Sequence, residues 1–253
     1  MAEVVLLKLG GSVITHKGGE CRIDEERLSE IAGVISACKK QDLLIVHGAG
    51  SCGHPEAKRY AMDRGLTKDN REGIYHIHRA VQRLNDAVVA CLQGAGVNAV
   101  GLPPLGAAVA RNGRLVSYDM EPARMMLQEG IVPVLHGDVV MDADMGASII
   151  SGDQILVHVA ITLKAAKVGL ATDVAGVLDG GRVIPKIGPA TVASLPIGNS
   201  SHTDVTGGMK GKVAELIRLA EETGAESHIF HAARIGDFLK GADHGGTVVS
   251  ARG

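Results

Sequence analysis

The sequence predicts an α/β fold, an open and mostly parallel sheet sandwiched by helices and carrying inserted β-hairpins. Two observations carry that prediction. Short apolar runs alternate with stretches of helical period along the chain, the pattern of strands linked by crossover helices. Several of the apolar runs end in glycine or a polar group: Lys8-Leu9-Gly10-Gly11, His47-Gly48, His136-Gly137-Asp138 and Thr172-Asp173. In parallel sheets, ligands gather at such carboxyl ends. Turn signals mark the hairpins, most clearly Asn112-Gly113, since Asn-Gly readily takes the positive φ angles of a type I′ turn.

Taken in order, residues 4–7 form a buried strand that runs into a glycine turn. Leu28, Ile31, Ile35 and Cys38 recur at helical steps behind Asp24, a predicted N-cap, with Glu25 and Glu26 suiting the positive end of the helix. Residues 43–46 form the next strand. Ile74, Ile77, Val81, Leu84, Val88 and Cys91 mark one long amphipathic helix. A short apolar run at 97–102 precedes the Asn-Gly hairpin, a short helix at 122–128 and a strand at 131–135. The stretch "VVMDADMGASII" predicts a second hairpin, and Asp179-Gly180-Gly181 a third. Between them lie a helix from about 153 to 163 and a strand at 168–171. A helix from about 209 to 222 and a strand at 227–230 follow. No linker or low-complexity stretch interrupts the chain, so residues 1–253 are expected to form a single domain, with a division near Gly152.

Composition narrows the function. Of 253 residues, 45% are hydrophobic and 21% charged, as in a globular protein with a proper core. A net charge of −2 with no basic block argues against general nucleic-acid binding, and 2% aromatic content without Trp removes base-stacking platforms. No apolar run approaches the roughly 18 residues of a membrane span, and "MAEVVLLKLGG" lacks the basic start of a signal peptide. Cys21, Cys38, Cys52 and Cys91 form no C-x-x-C pair. They are expected to be inert or buried thiols of a reducing cytoplasm.

Gly48, Gly50 and Gly53 spell G-x-G-x-x-G, the dinucleotide fingerprint. That fingerprint follows the first strand and wants an acidic residue closing the second, about 20 residues on. Here the loop follows the second strand, and Asp63 and Asp69 lie in polar sequence. Pro55 is tolerated at a first helical turn, so the helix N-terminus survives as an anion site. No G-x-x-x-x-G-K-[ST] motif is present. What remains is a phosphate site built from several loops: "KLGGS" at 8–12, "HGAGS" at 47–51 and "DVTGGMKGK" at 204–212. Each offers backbone N–H groups that side chains cannot crowd, and lysines stand at the first and third.

With "VHGAGSCGH", "ISGD" and "TDVAGV" in the same order, these motifs resemble the amino acid kinase superfamily, and within it the isopentenyl phosphate kinases. The resemblance runs from Leu6 to the C-terminal "GGTVV". It implies transfer of the γ-phosphoryl of ATP, with Mg²⁺, onto isopentenyl phosphate, in a cytoplasmic homodimer with no nucleic-acid or membrane partner. No residue is expected to hold the metal by itself. Residues 1–151 would bind the acceptor and 152–253 the nucleotide. By position, Lys8 and Lys212 match lysines on the ATP phosphates, Lys17 one that stabilises the transition state, and Asp153 the aspartate that orients them. Ala49, Gly50, His54 and Gly152 match contacts to the acceptor phosphate. Gly10, Gly11, Ser12, Gly50, Asp173 and Gly208 fall on the nucleotide side. Lys212 is preferred to Lys210. The isoprenoid tail would lie against Ile74, Tyr75, His78 or their neighbours, opposite Ile149 and Ile150. His47 and His136 read as hydrogen-bonded wall residues.

The sequence departs from the family pattern in having Ala175 where Asp is usual and Cys52 where an aromatic residue is common. The alternatives are a related kinase of the fosfomycin-kinase type and a non-catalytic nucleotide- or oxyanion-binding member. Retention of Lys8, Lys17, Asp153 and Lys212 speaks against the latter.

Overall fold

In a computed structural model, which describes residues 3–16, 18, 21–192 and 208–252, the predicted alternation becomes two principal sheets and their helices. The first half of the chain gives β1 (Val5–Leu9), α1 (Gly11–Ile14), α2 (Glu25–Cys38), β2 (Leu43–His47), α3 (Gly50–Arg59), α4 (Glu72–Gly94) and β3 (Ala99–Gly101). Then come β4 (Ala108–Arg111), β5 (Arg114–Tyr118), α5 (Glu121–Gln128), β6 (Val132–His136), β7 (Asp138–Asp142) and β8 (Gly146–Ile150). The second half gives α6 (Gly152–Thr162), β9 (Lys167–Thr172), β10 (Leu178–Asp179), β11 (Arg182–Val183), β12 (Lys186–Ile187) and α7 (Pro189–Val192). It closes with α8 (Gly208–Thr223), β13 (Ser227–His231), α9 (Ile235–Lys240) and β14 (Thr247–Val249).

Among the described residues, eight strands form the main sheet in the order β12-β14-β13-β9-β1-β2-β6-β3. All its pairs are parallel except β13 with β14. The central strands β1, β2 and β6 are buried along their whole length, because helices cover both faces and leave no side for water. Alternate residues sort accordingly. Leu6, Leu44, Val46, Leu135 and Leu170 pack with α5, α6 and α8 on one face. Val5, Leu7, Leu9, Ile45 and Val134 pack with α2, α4 and α9 on the other.

Local chemistry sets the element ends. Asp24 caps α2 by accepting the Arg27 N–H at 3.0 Å. Ser151 caps α6 in the same way through Gln154 N–H. Asn112 and Gly113 both take positive φ, as the β4–β5 turn requires. The hairpins form a second sheet, β5-β4-β7-β8, beside the carboxyl ends of the main one.

Two expectations are corrected. Pro55 is not in a first turn: α3 starts at Gly50, so Pro55 stands inside the helix and leaves the Ser51 carbonyl without a helical N–H. Cys21 and Cys52 are not free thiols. They form a disulfide that spans 31 residues and ties the segment after α1 to α3, so they do not support a reducing compartment. Cys38 and Cys91 are free and partly buried.

The glycines at the strand ends are held there by packing. A Cβ on Gly11 would stand 2.4 Å from Gly50 N, and one on Gly50 2.3 Å from Thr15 Oγ1. The β1–α1 and β2–α3 loops therefore meet backbone to backbone. Gly11→Ala is expected to destabilise the fold by about 1–3 kcal/mol or more, the usual cost of overpacking. Gly33→Ala, mid-helix with open space around its Cβ, should stabilise it by about 0.5–1 kcal/mol. Urea unfolding of the two variants measures both; equal midpoints would contradict the account of Gly11.

Candidate active site

Four neighbouring strands, β9, β1, β2 and β6, point their carboxyl ends to the same edge. The chain winds outward in opposite directions from β1 and β9, and the crevice at such a reversal is where open α/β sheets bind ligands. A cavity of about 880 Å³ opens there.

It holds nearly all the residues singled out from the sequence. Lys8, Gly10, Gly11, Ser12, Ala49, Gly50, His54, Gly152, Asp153, Asp173 and Lys212 line it. Gly208 opens α8, next to the lining residue Met209. Lys17 lies outside the described residues. Lys210 is exposed and does not line the cavity, whereas Lys212 does.

Lys8 sits at the end of β1 and Asp153 in the first turn of α6. Their side chains are 5% and 8% exposed, with Nζ 2.5 Å from Oδ1. An ammonium taken this far out of water costs several kcal/mol unless it is paired, and the carboxylate supplies the pairing. Gly152 lets this happen, because a Cβ there would stand 2.9 Å from the His47 carbonyl oxygen and 3.2 Å from Lys8 Cε. The first turns of α3 and α6 both border the cavity, each offering N–H groups and a positive dipole end to an anion.

Thr15 was missed by sequence reasoning. Its hydroxyl donates to the Gly11 carbonyl at 2.8 Å and accepts the Ser51 N–H at 3.0 Å, joining the two glycine loops. A lone threonine in a polar stretch gives no signal of this.

Behind the loops, His47 and His136 are fully buried and stacked, with ring centroids 5.3 Å apart. His47 Nε2 lies 3.3 Å from Asn85 Oδ1, and His136 Nδ1 lies 3.2 Å from the Gly137 carbonyl. Burial holds the His47 pKa down to about 4 and that of His136 to about 3, the latter with help from His47. Both are hydrogen-bonded, as expected, and held neutral, but they stand behind the cavity and do not line it.

Ile149 and Ile150 line the apolar part of the cavity, and their partners from α4 are Ile77, a neighbour of His78, and Val81, rather than Ile74, Tyr75 or His78 themselves. Tyr75 is 56% exposed. His78 instead bonds Asp138 Oδ2 through Nδ1 at 2.6 Å. That bond raises the His78 pKa, while burial raises that of Asp138. Arg79 and Arg83 line a smaller cavity of about 300 Å³, together with the disulfide.

Among the described residues, no group of three or more His, Cys, Asp or Glu gathers as a metal cage. Asp138 is bonded to His78 and Asp153 to Lys8. This donor set fits an Mg²⁺ that is held chiefly by substrate phosphates.

The profile of the amino acid kinase family matches residues 3–231. The chain belongs to that family. Within it, the chain groups with the isopentenyl phosphate kinases. It is 40% identical to the isopentenyl phosphate kinase of Haloferax volcanii, covering 98% of both chains. It is 38% identical to that of Methanothermobacter thermautotrophicus, covering 98% of this chain and 100% of the relative. A crystal structure of an isopentenyl phosphate kinase superposes with a TM-score of 0.85 at 36% identity, over 97% of this chain and 99% of the other.

The buried histidines make stability depend on pH. Their folded pKa values lie below the ordinary 6.5, so between pH 6.5 and 4 the unfolded chain binds protons that the folded chain refuses. Stability is then lost as pH falls through that window. His78, shifted upward, has the opposite slope. Thermal unfolding midpoints should fall from pH 6.5 to pH 4, with a shallower slope in His136→Asn. A slope unchanged by that substitution would contradict the assignment.

Proposed function

We propose that this protein transfers the γ-phosphoryl group of ATP, brought in with Mg²⁺, to isopentenyl phosphate, forming isopentenyl diphosphate and ADP. One observation carries the reading. A single cavity is lined at once by Lys8, Lys212, His54 and two helix N-termini, and by the apolar Ile77, Val81, Ile149 and Ile150. Such a lining suits an anionic head with a hydrocarbon tail. The names of the relatives point to the same acceptor.

The acceptor is a phosphate monoester with a second pKa of about 6, already ionised at neutral pH. It needs no general base. Neutral His47 and His136, both outside the cavity, are consistent with that. The task is to hold two anionic groups in line and to compensate the charge on the moving phosphoryl group. In this reading Lys8 and Lys212 contact the ATP phosphates, and Asp153 fixes Lys8 in direction. Lys17, from its place in the sequence, stabilises the transition state. His54, Ala49, Gly50 and Gly152 receive the acceptor phosphate. Gly10, Gly11, Ser12, Asp173 and Gly208 serve the nucleotide. Mg²⁺ supplies charge neutralisation on the ATP phosphates.

Residues 1–151 then act mainly as the acceptor part and 152–253 as the nucleotide part. Burying a five-carbon tail among Ile77, Val81, Ile149 and Ile150 contributes up to about 4 kcal/mol, at roughly 0.8 per methylene. A cytoplasmic homodimer completes the reading. No described helix is long and apolar enough to cross a membrane.

ADP release with ATP-Mg²⁺ and a panel of isopentenyl phosphate, dimethylallyl phosphate, fosfomycin and acetylglutamate tests it. Isopentenyl phosphate should have the highest kcat/KM. His54→Ala should lower that value by about 10²-fold, the usual effect of losing one donor to a developing charge. ATP binding without turnover on any acceptor would contradict the proposal.

A further inference from the structure

We infer that the tip of the β4–β5 hairpin is a strut that braces the packed pair α6 and α8 beside the cavity, with Arg114 and Gln154 as positioning residues. The inference rests on the roles given above to Asp153 and Lys212.

The tip is bonded to α6 and α8, which both line the cavity, and to the β7–β8 turn. Gln154, the residue after Asp153, accepts the Leu115 N–H at 3.0 Å and donates to the Gly113 carbonyl at 3.1 Å. Both bonds of one side-chain amide thus go to the hairpin, and they flank Arg114. Arg114 reaches the other way. Its guanidinium forks onto both carboxylate oxygens of Glu215, Nη1 to Oε1 and Nη2 to Oε2, the latter at 3.1 Å. Glu215 lies three residues after Lys212, one turn along α8. The third tie is to the β7–β8 turn. Asp142 accepts the N–H groups of Asn112 and Gly113 at 3.1 and 2.8 Å, and Asn112 Nδ2 donates to Asp144 Oδ2 at 2.8 Å. Strand β8 carries Ile149 and Ile150 of the cavity wall.

A hairpin tip has no packing reason to hold this many directed bonds. The arrangement makes sense as a fixed distance between the first turn of α6 and the first turns of α8. Bidentate geometry suits that use, since a guanidinium fork fixes direction as well as separation. Arg218 also stands 3.5 Å from Glu215, within α8 itself, and so does not replace the bridge to the hairpin. The Arg114 side chain is 50% exposed, and half-exposed ion pairs add little to stability. Its loss should therefore register in turnover more than in folding.

The test compares wild type, Arg114→Ala, Arg114→Lys, Gln154→Ala and Lys212→Ala with ATP-Mg²⁺ and isopentenyl phosphate. Arg114→Ala and Gln154→Ala should each lower kcat by about tenfold, as misplacement of remote supports does. KM for isopentenyl phosphate should stay within about twofold, and the Arg114→Ala thermal midpoint should be nearly unchanged. Arg114→Lys should recover part of kcat, because it keeps the charge and loses the fork. Wild-type kcat in both alanine variants would overturn the strut. So would kcat, both KM values and the thermal midpoint failing together, which marks general loosening. Full activity in Lys212→Ala would remove the underlying reading and the strut with it.

Discussion

Lys8 is 4% exposed, and its ammonium stands 2.5 Å from a carboxylate that is almost as deeply buried. The rest of the architecture at this end of the sheet follows from placing that charge there. The strand that carries it is the hub of the sheet, paired on both sides in parallel, so the lysine cannot swing out with a loop. Asp153 must come to it from α6, the helix that leads into β9, and the peptide before it must pass the β2 carboxyl end. Only glycine at 152 leaves room, since a Cβ would press on both the His47 carbonyl and the Lys8 stem. Gly11 and Gly50 answer the same crowding on the other side. The charge is thus fixed by backbone contacts that flexible side chains could not provide.

A site of this kind works by preorganisation. Lys8 is held by Asp153, the two glycine loops are joined through Thr15, and neutral His47 and His136 back them without competing charge. Little needs to reorient as negative charge moves between phosphates, and this is where electrostatic catalysis gains most. The elements that carry the two lysines arise far apart in sequence. Their relative placement depends on α6 packing between the sheet and α8.

Much of this was legible in the residues. Strand ends at Lys8, His47, His136 and Thr172 could be placed together because parallel strands bury continuous apolar runs and end in polar or glycine residues. Asp24, Asn112-Gly113 and Asp179-Gly180-Gly181 carry their own local chemistry and formed the predicted cap and turns. Features that depend on distance in sequence were not legible. The Cys21–Cys52 bond spans 31 residues, and nothing in the spacing of four scattered cysteines selects that pair. The α4 stripe identified Ile77 and Val81 as buried, yet periodicity cannot say that they meet Ile149 and Ile150 across a cavity while Tyr75 turns to solvent. Pro55 inside α3 was misjudged because the helix start depends on where Gly50 is pressed against Gly11, a tertiary contact.

The claim that Lys8 acts on the moving phosphoryl group is tested most directly by ³¹P NMR of ATP-Mg²⁺ with isopentenyl phosphate, comparing wild type with Lys8→Met in folded, purified form. Wild type should convert the monoester signal to diphosphate signals one for one with ADP. The variant should keep its circular dichroism spectrum and slow by at least about 10²-fold. Diphosphate formation by Lys8→Met within a few-fold of the wild-type rate would contradict it.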